Sequence, residues 1–199
     1  MPSTPEKIAI RELALAARGR MSADDRRRAA ADAGARVLDL LGALPGVVGL
    51  YVPIGDELHP RWLVEALASR GRQLALPCTP RWAAPMVFRR WAPGDRLARG
   101  RMDVPEPPRE ALVVDPDVVV VPPVAFDRRG FRIGYGGGFY DRTLPAMRAR
   151  KPVAAIGIAF ACQACPKVPD EPHDVPMDAV VTETEVIERR TPMAARANP

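Results

Sequence analysis

VVVVP, Val118 to Pro122, is the stretch on which the fold turns. Four β-branched residues in a row favour extended backbone, and an unbroken apolar run offers no polar alternation to turn toward water. Such a run predicts a strand in the middle of a sheet covered on both faces. VVGLY (Val47 to Tyr51) and VAAIGIAF (Val153 to Phe160) read as buried strands of the same kind. QLALP (Gln73 to Pro77), Met86 to Trp91 and a short DAVVTE (Asp178 to Glu183) are further strand candidates, and Pro93 to Pro108 is a proline-rich crossing.

Between these lie helical patterns. Pro5 to Arg18 carries Ile8, Leu13 and Leu15 among alanines. Ser22 followed by Asp25 is a capping-box signature, with Asp in place of Glu, for a second helix to about Leu41. Trp62 to Arg70 is closed by Gly71, and Tyr140 to Arg150 is a helix that Pro145 should shorten or kink. Strands alternating with helices specify an α/β fold, a three-layer α/β/α sandwich around a largely parallel, mixed sheet of Rossmann-like type. One domain is expected over residues 1–190, with a disordered tail over 191–199.

The chain of 199 residues is 47% hydrophobic and 27% charged, the balance of an ordinary globular protein, and no apolar run approaches a membrane span. Its start, MPSTPEKIAIRE, has charges where a signal peptide needs an apolar core. We expect a cytoplasmic monomer with neither membrane nor nucleic-acid partners. The net charge of +5 comes from scattered arginines rather than from a basic stripe with interleaved aromatics, which suits a solvated surface or a small polyanion. Of the three cysteines only Cys162 and Cys165 approach metal spacing, and Pro166 follows them in a proline-rich loop, so neither zinc nor redox chemistry is indicated.

GFRIGYGGGFYDR, Gly130 to Arg142, should carry the chemistry. Gly134, Gly136, Gly137 and Gly138 leave successive backbone N–H groups uncovered ahead of a helix, which is a nest for an anion such as a phosphate chain. No Gly-Lys-Ser/Thr closes the loop, and Phe139 stands where a dinucleotide fingerprint needs a small residue. Arg132 and Arg142 could neutralise phosphate oxygens, and Asp141 could hold Mg²⁺ beside them. In this sheet class ligands gather at the carboxyl ends of strands, where this loop would lie.

Beyond that point the sequence resembles a known family. VPPVAFDRRGFRIGYGGGFYDRTL (Val121 to Leu144) is similar to the signature of the 5-formyltetrahydrofolate cyclo-ligases: a strand ending in V-P, then A-F-D, G-x-R-L/I-G, a glycine loop and Y-Y-D-R. KIAIR resembles the family's Lys-x-x-x-Arg, and YVPIGDE (Tyr51 to Glu57) the strand end before its folate-site Glu. GIAFACQ and VPDEPHDVPMDAVVTE resemble its C-terminal motifs. The resemblance implies ATP- and Mg²⁺-dependent closure of 5-formyltetrahydrofolate to 5,10-methenyltetrahydrofolate through a phosphorylated formyl oxygen.

Carried over residue by residue, it implies that Lys7 and Arg11, one helical turn apart, contact ATP phosphates. Arg132, Gly134, Tyr135, Gly136, Gly137, Gly138, Phe139 and Tyr140 would cradle the triphosphate, with Arg132 and Tyr140 at the reacting groups. Val52, Glu57 and Met102 would bind the reduced folate together with Tyr135 to Phe139, and Asp141 and Asp174 would hold Mg²⁺. Phe139 stands where the family pattern has a first Tyr, and Met102 where an aromatic is frequent. The alternatives are an ATP-binding relative acting on another substrate or none, and a nucleic-acid binder suggested by a pI near 9.5.

Overall fold

The computed structural model describes residues 4–189 apart from 43, 45 and 81 and the side chain of Met102. The segment 191–199, expected to be a disordered tail, lies outside the described residues. Two helices open the chain, α1 (Pro5–Gly19) and α2 (Ala23–Leu41). There follow β1 (Val48–Gly49), α3 (Arg61–Ser69), β2 (Leu74–Cys78), β3 (Val87–Trp91), β4 (Ala98–Arg99) and β5 (Pro105–Glu106). The second half comprises β6 (Val118–Val121), β7 (Ala125–Phe126), β8 (Arg132–Ile133), α4 (Phe139–Arg148), β9 (Ala154–Ile158), β10 (Ala179–Val181) and β11 (Val186–Glu188).

One sheet of seven strands runs in the order β11-β10-β9-β6-β1-β2-β3. The inner five strands are parallel, and β3 and β11 close its edges antiparallel. β6 sits at the centre, as its four valines predict, and all four are buried. Their side chains alternate between layers: Val118 and Val120 pack with α2 and α3, while Val119 and Val121 pack with Leu144 and Met147 of α4. Each buried valine stabilises the fold by about 1.5–3 kcal/mol relative to exposure.

The caps read from sequence are present with one change. The Ser22 hydroxyl oxygen accepts from the Asp25 backbone N–H at 3.0 Å. The Asp25 carboxylate accepts from that same hydroxyl at 2.6 Å, not from the backbone N–H of the cap. Asp is one methylene shorter than the Glu of a full capping box, so it stops at the hydroxyl. α4 continues through Pro145 and ends at Arg148, two residues earlier than expected. Strand pairing within the Pro93 to Pro108 crossing (β4 with β5), the β7–β8 hairpin and β11 were not foreseen, because each is two or three residues long.

The β7–β8 hairpin carries the chain from the central strand to the glycine loop, and a buried carboxylate holds it. Asp127, only 1% exposed, accepts from the backbone N–H groups of Arg129, Phe131 and Val168 and from the Arg129 guanidinium. At the turn Gly130 has φ +84, and a Cβ there would lie 2.4 Å from the Met177 carbonyl oxygen, so no other residue fits. The acid of the A-F-D motif thus fixes backbone. Replacing Asp127 by Ala leaves three backbone amide donors without their acceptor, the buried Val168 N–H among them, and is expected to lower stability by about 3–4 kcal/mol. Urea unfolding is the measurement, and a loss below about 1 kcal/mol would contradict this role.

Candidate active site

β6 ends next to β1, and the segments that leave their carboxyl ends make two walls of one site. The glycine loop joins β8 to α4. Gly136 and Gly138 adopt positive φ, +92 and +59, and Gly138 caps the helix in the left-handed conformation. Two guanidinium groups hold loop carbonyls: Arg11 Nε donates to Gly134 O at 2.8 Å and Arg142 Nη2 to Gly137 O. Every backbone N–H from Tyr135 to Asp141 is without a protein acceptor among the described residues. A loop with two carbonyls held and its N–H groups unengaged has the geometry to cradle an anion, and the N-terminus of a ten-residue helix adds its dipole.

Beside the cradle stand two cation–carboxylate pairs. Arg132, on β8, has a nearly buried side chain and donates to Asp141 Oδ1 at 2.6 Å and to the Val175 carbonyl. Asp141 Oδ1 also accepts from Val175 N–H at 3.2 Å, which ties α4 to the segment carrying Asp174. Lys7, on α1, donates to Asp174 Oδ2 at 2.7 Å and to Glu171 at 3.4 Å. Burial pulls the Arg132 guanidinium down, opposed first by Asp141, and Asp174 is close enough to act on it as well. For Lys7 burial pulls the same way, but Asp174 and Glu171 outweigh it and the ammonium is held above its ordinary value.

The structure therefore brings Lys7, Arg132, Asp141 and Asp174 together with the glycine loop, as the sequence suggested. Arg11 and Arg142 reach the same place through loop carbonyls. Tyr140 lies under Arg132, its ring centre 5.8 Å from the guanidinium carbon, and burial pushes its hydroxyl well above the usual range. Phe139 packs edge-on against Trp82 at 5.6 Å.

The second wall follows β1. Glu57 is buried, 7% exposed, and accepts from the Ile54 N–H at 2.8 Å. Burial raises its carboxyl to about 7, against the pull of that hydrogen bond and of Arg18. Its charge acts on the hydroxyls of Tyr51 and Tyr140, so the two walls meet. Val52 lines an adjoining cavity of about 300 Å³ whose other walls include Tyr51, Leu76 and Trp91. Met102 falls in a single 3₁₀ turn, Arg101–Asp103, and its side chain is outside those described.

Sequence reasoning missed Glu171, Trp82 and Arg18. Glu171 lies within the quoted C-terminal motif, three residues before Asp174, and shares Lys7 with it. Trp82 sits in a loop without periodicity and left no signal. Arg18 lies seven residues beyond Arg11 on the same face of α1, and its Nη2 donates to the Tyr135 hydroxyl at 2.9 Å; helical spacing alone could have pointed to it.

A divalent cation and a nucleotide can be tested against these donors. Among the described residues no group of three or more His, Cys, Asp or Glu side chains is gathered as a metal site. Among the described residues Asp141 Oδ2 and Asp174 Oδ1 take no hydrogen bond, the latter lying 3.9 Å from His173 Nε2, so each carboxylate keeps an oxygen for a cation. Two carboxylates suit an ion such as Mg²⁺, which takes its other ligands from phosphate and water. The donor set fits both groups.

Residues 3–183 match the family model described as the 5-formyltetrahydrofolate cyclo-ligase family. The chain is 37% identical over 146 residues to the 5-formyltetrahydrofolate cyclo-ligase of Escherichia coli, covering 71% of this chain and 80% of that protein. It is 36% identical over 140 residues to the protein of the same name from Mycolicibacterium smegmatis, covering 66% and 71%. Among solved structures, the Aquifex aeolicus 5,10-methenyltetrahydrofolate synthetase superposes with a TM-score of 0.73 at 30% identity, covering 92% of this chain and 93% of that one. The Mycoplasma pneumoniae 5,10-methenyltetrahydrofolate synthetase shares the fold with a TM-score of 0.71 at 21% identity, covering 89% and 99%. With six of its seven sheet strands, its glycine loop and both flanking ion pairs inside the matched region, the chain belongs to the 5-formyltetrahydrofolate cyclo-ligase family.

Proposed function

We propose that the protein converts 5-formyltetrahydrofolate and ATP to 5,10-methenyltetrahydrofolate, ADP and phosphate in a Mg²⁺-dependent reaction, as a cytoplasmic monomer. The observation that carries this reading is the convergence of Lys7–Asp174 and Arg132–Asp141 on a glycine loop whose N–H groups have no acceptor among the described residues. Those parts suit a triphosphate: the loop offers donors, and the cations offset its charge. Asp141 and Asp174 would repel it without a divalent ion between them. Mg²⁺ held by these two carboxylates would neutralise charge on the phosphate chain.

A formamide oxygen is a poor leaving group, and the chemistry removes that obstacle. The formyl oxygen attacks the terminal phosphorus of ATP as ADP leaves. The folate's neighbouring amine nitrogen then adds to the formyl carbon, its proton passes to solvent, and phosphate departs with the oxygen. No protein nucleophile is needed, so the chain's task is positioning and charge stabilisation. Arg132 is the group placed to stabilise charge at the transferring phosphoryl, and Tyr140 beneath it shields that side from water. Glu57, as a carboxylate, accepts from the N–H edge of the pterin, which is a paired-donor surface. Val52 and the cavity beside it give the folate an apolar face, with Tyr135 to Phe139 between the two substrates.

Purified protein mixed with 5-formyltetrahydrofolate, ATP and Mg²⁺ is expected to develop the near-ultraviolet absorbance of methenyltetrahydrofolate. Chelation of the metal should abolish the change. Absence of any ATP-dependent product at high enzyme concentration would overturn the reading.

A further inference from the structure

One buried cation is left over by this account. Arg18 is 4% exposed, and only it and Ala14 are buried along α1. Its guanidinium makes one hydrogen bond, from Nη2 to the Tyr135 hydroxyl, and it forms no ion pair among the described residues. Its Nε is buried without a partner among them. Burying a guanidinium with so little compensation opposes folding, and an apolar residue would suit the position better. Violations of this kind are retained where function requires them.

The place of Arg18 suggests what it does. Lys7, Arg11 and Arg18 lie on one face of α1, and that face touches the site at three heights. Lys7 meets Glu171 and Asp174, Arg11 meets the Gly134 carbonyl, and Arg18 meets the Tyr135 hydroxyl. The first two residues of the loop are thus tethered to the same helix. Tyr135 is 45% exposed, so packing does not fix its ring, and Gly136 after it has no side chain with which to restrain the backbone. On its other side Arg18 acts on the end of β1, where its charge counters the effect of burial on Glu57 and on the Tyr51 hydroxyl. Among the described residues Glu57 bonds the Ile54 N–H, and the groups coupled to its charge are the Tyr51 hydroxyl, the Tyr140 hydroxyl of α4 and Arg18 of α1. Arg18 is the cation among them.

We propose that Arg18 is a positioning residue for the folate side of the site, anchoring Tyr135 at the entry to the glycine loop and holding Glu57 in its positive field. The proposal rests on the reading of that loop as lying between the two substrates of a cyclo-ligase and of Glu57 as its folate-side acid.

Brief chymotrypsin digestion of the full chain under native conditions reads the anchor without turnover, because Tyr and Phe at position 135 are both cleavage sites. In Arg18→Met and in Tyr135→Phe, cleavage within residues 131–140 is expected to be about tenfold faster than in wild type, with the sheet left intact. In steady-state assays both variants should raise KM for 5-formyltetrahydrofolate about tenfold, and KM for ATP should rise with it because the same loop faces the phosphates. Arg18→Met should also move the acid limb of the kcat/KM profile upward by about one pH unit, because the carboxylate form of Glu57 loses its cation. Tyr135→Phe should leave that limb in place, and Arg18→Lys, which keeps the charge, should restore it. If Arg18→Met does not fold, Tyr135→Phe tests the anchor and Arg18→Lys the field. A wild-type rate of cleavage in the loop of the variants that fold, or an acid limb that Arg18→Met leaves where it was, overturns the assignment. A wild-type protein that forms no methenyl product overturns the reaction instead, and the cleavage result still decides the anchor.

Discussion

Arg132→Ala is expected to lower kcat about 10³-fold, the loss found when a preorganised charge-stabilising donor is removed from a transferring group. The side chain is 6% exposed and held by two acceptors, Asp141 and the Val175 carbonyl. Its charge is therefore aimed before substrate arrives, in surroundings where water screens little. Arg132→Lys keeps a charge but cannot reach both acceptors from one ammonium, and it should recover about tenfold of the loss. The same burial means that Arg132→Ala also leaves the Val175 carbonyl and Asp141 without their donor, destabilising the fold by about 1–3 kcal/mol. Thermal unfolding separates the two effects: the assay is run well below the midpoint of the variant, where the protein is folded. An Arg132→Ala enzyme that keeps more than a tenth of wild-type kcat would remove Arg132 from the phosphoryl-transfer chemistry.

Arg132 was legible as a cation beside a glycine loop, whereas Arg18 offered only a helical spacing that any solvated basic face shares. Val118 to Val121 specify a doubly covered central strand because four apolar side chains leave no face for water, and the neighbouring strands and helices follow from similar local patterns. The glycine loop was legible because exposed N–H groups are a local property of consecutive glycines. Arg132 and Asp141 followed from their places beside that loop, whereas Lys7, Glu57 and Asp174 entered through the resemblance. Their pairing did not: Lys7 meets Asp174 across 167 positions of sequence, and no local pattern encodes such a contact. Asp127 shows the opposite error that a motif invites, since a carboxylate beside a reactive loop looks chemical and proves to be a bracket for three backbone amides. Trp82 against Phe139, and β4, β5, β7, β8 and β11, are products of tertiary packing alone, because two or three residues carry too little periodicity to declare a strand.

Glu57→Gln is expected to raise stability and damage function together. The carboxyl titrates near 7 in the folded protein because burial disfavours its charge, whereas in the unfolded chain it titrates near its ordinary value of 4.5. Between those two values the folded state retains a proton that the unfolded state has lost, so stability falls as pH rises through the window. Above about pH 7 the whole penalty is present, about 3 kcal/mol for a shift of this size. Gln has no charge to bury and can still accept from the Ile54 N–H, so at pH 8 the variant should be about 2–3 kcal/mol more stable than wild type. The gain should shrink toward zero as the pH approaches 4. In catalysis the order reverses. The wild-type kcat/KM for 5-formyltetrahydrofolate should rise through a limb near pH 7 as Glu57 becomes the carboxylate that the pterin edge requires. Glu57→Gln should lose that limb and about 10²-fold in kcat/KM at pH 8, since an amide is the weaker acceptor and turns a donor toward donors. Urea unfolding at pH 5 and pH 8, with kinetics across the same range, decides the matter. A variant less stable than wild type at pH 8 would show that Glu57 is not a charge buried at a cost, and one that keeps the limb near 7 would move the titration to another group.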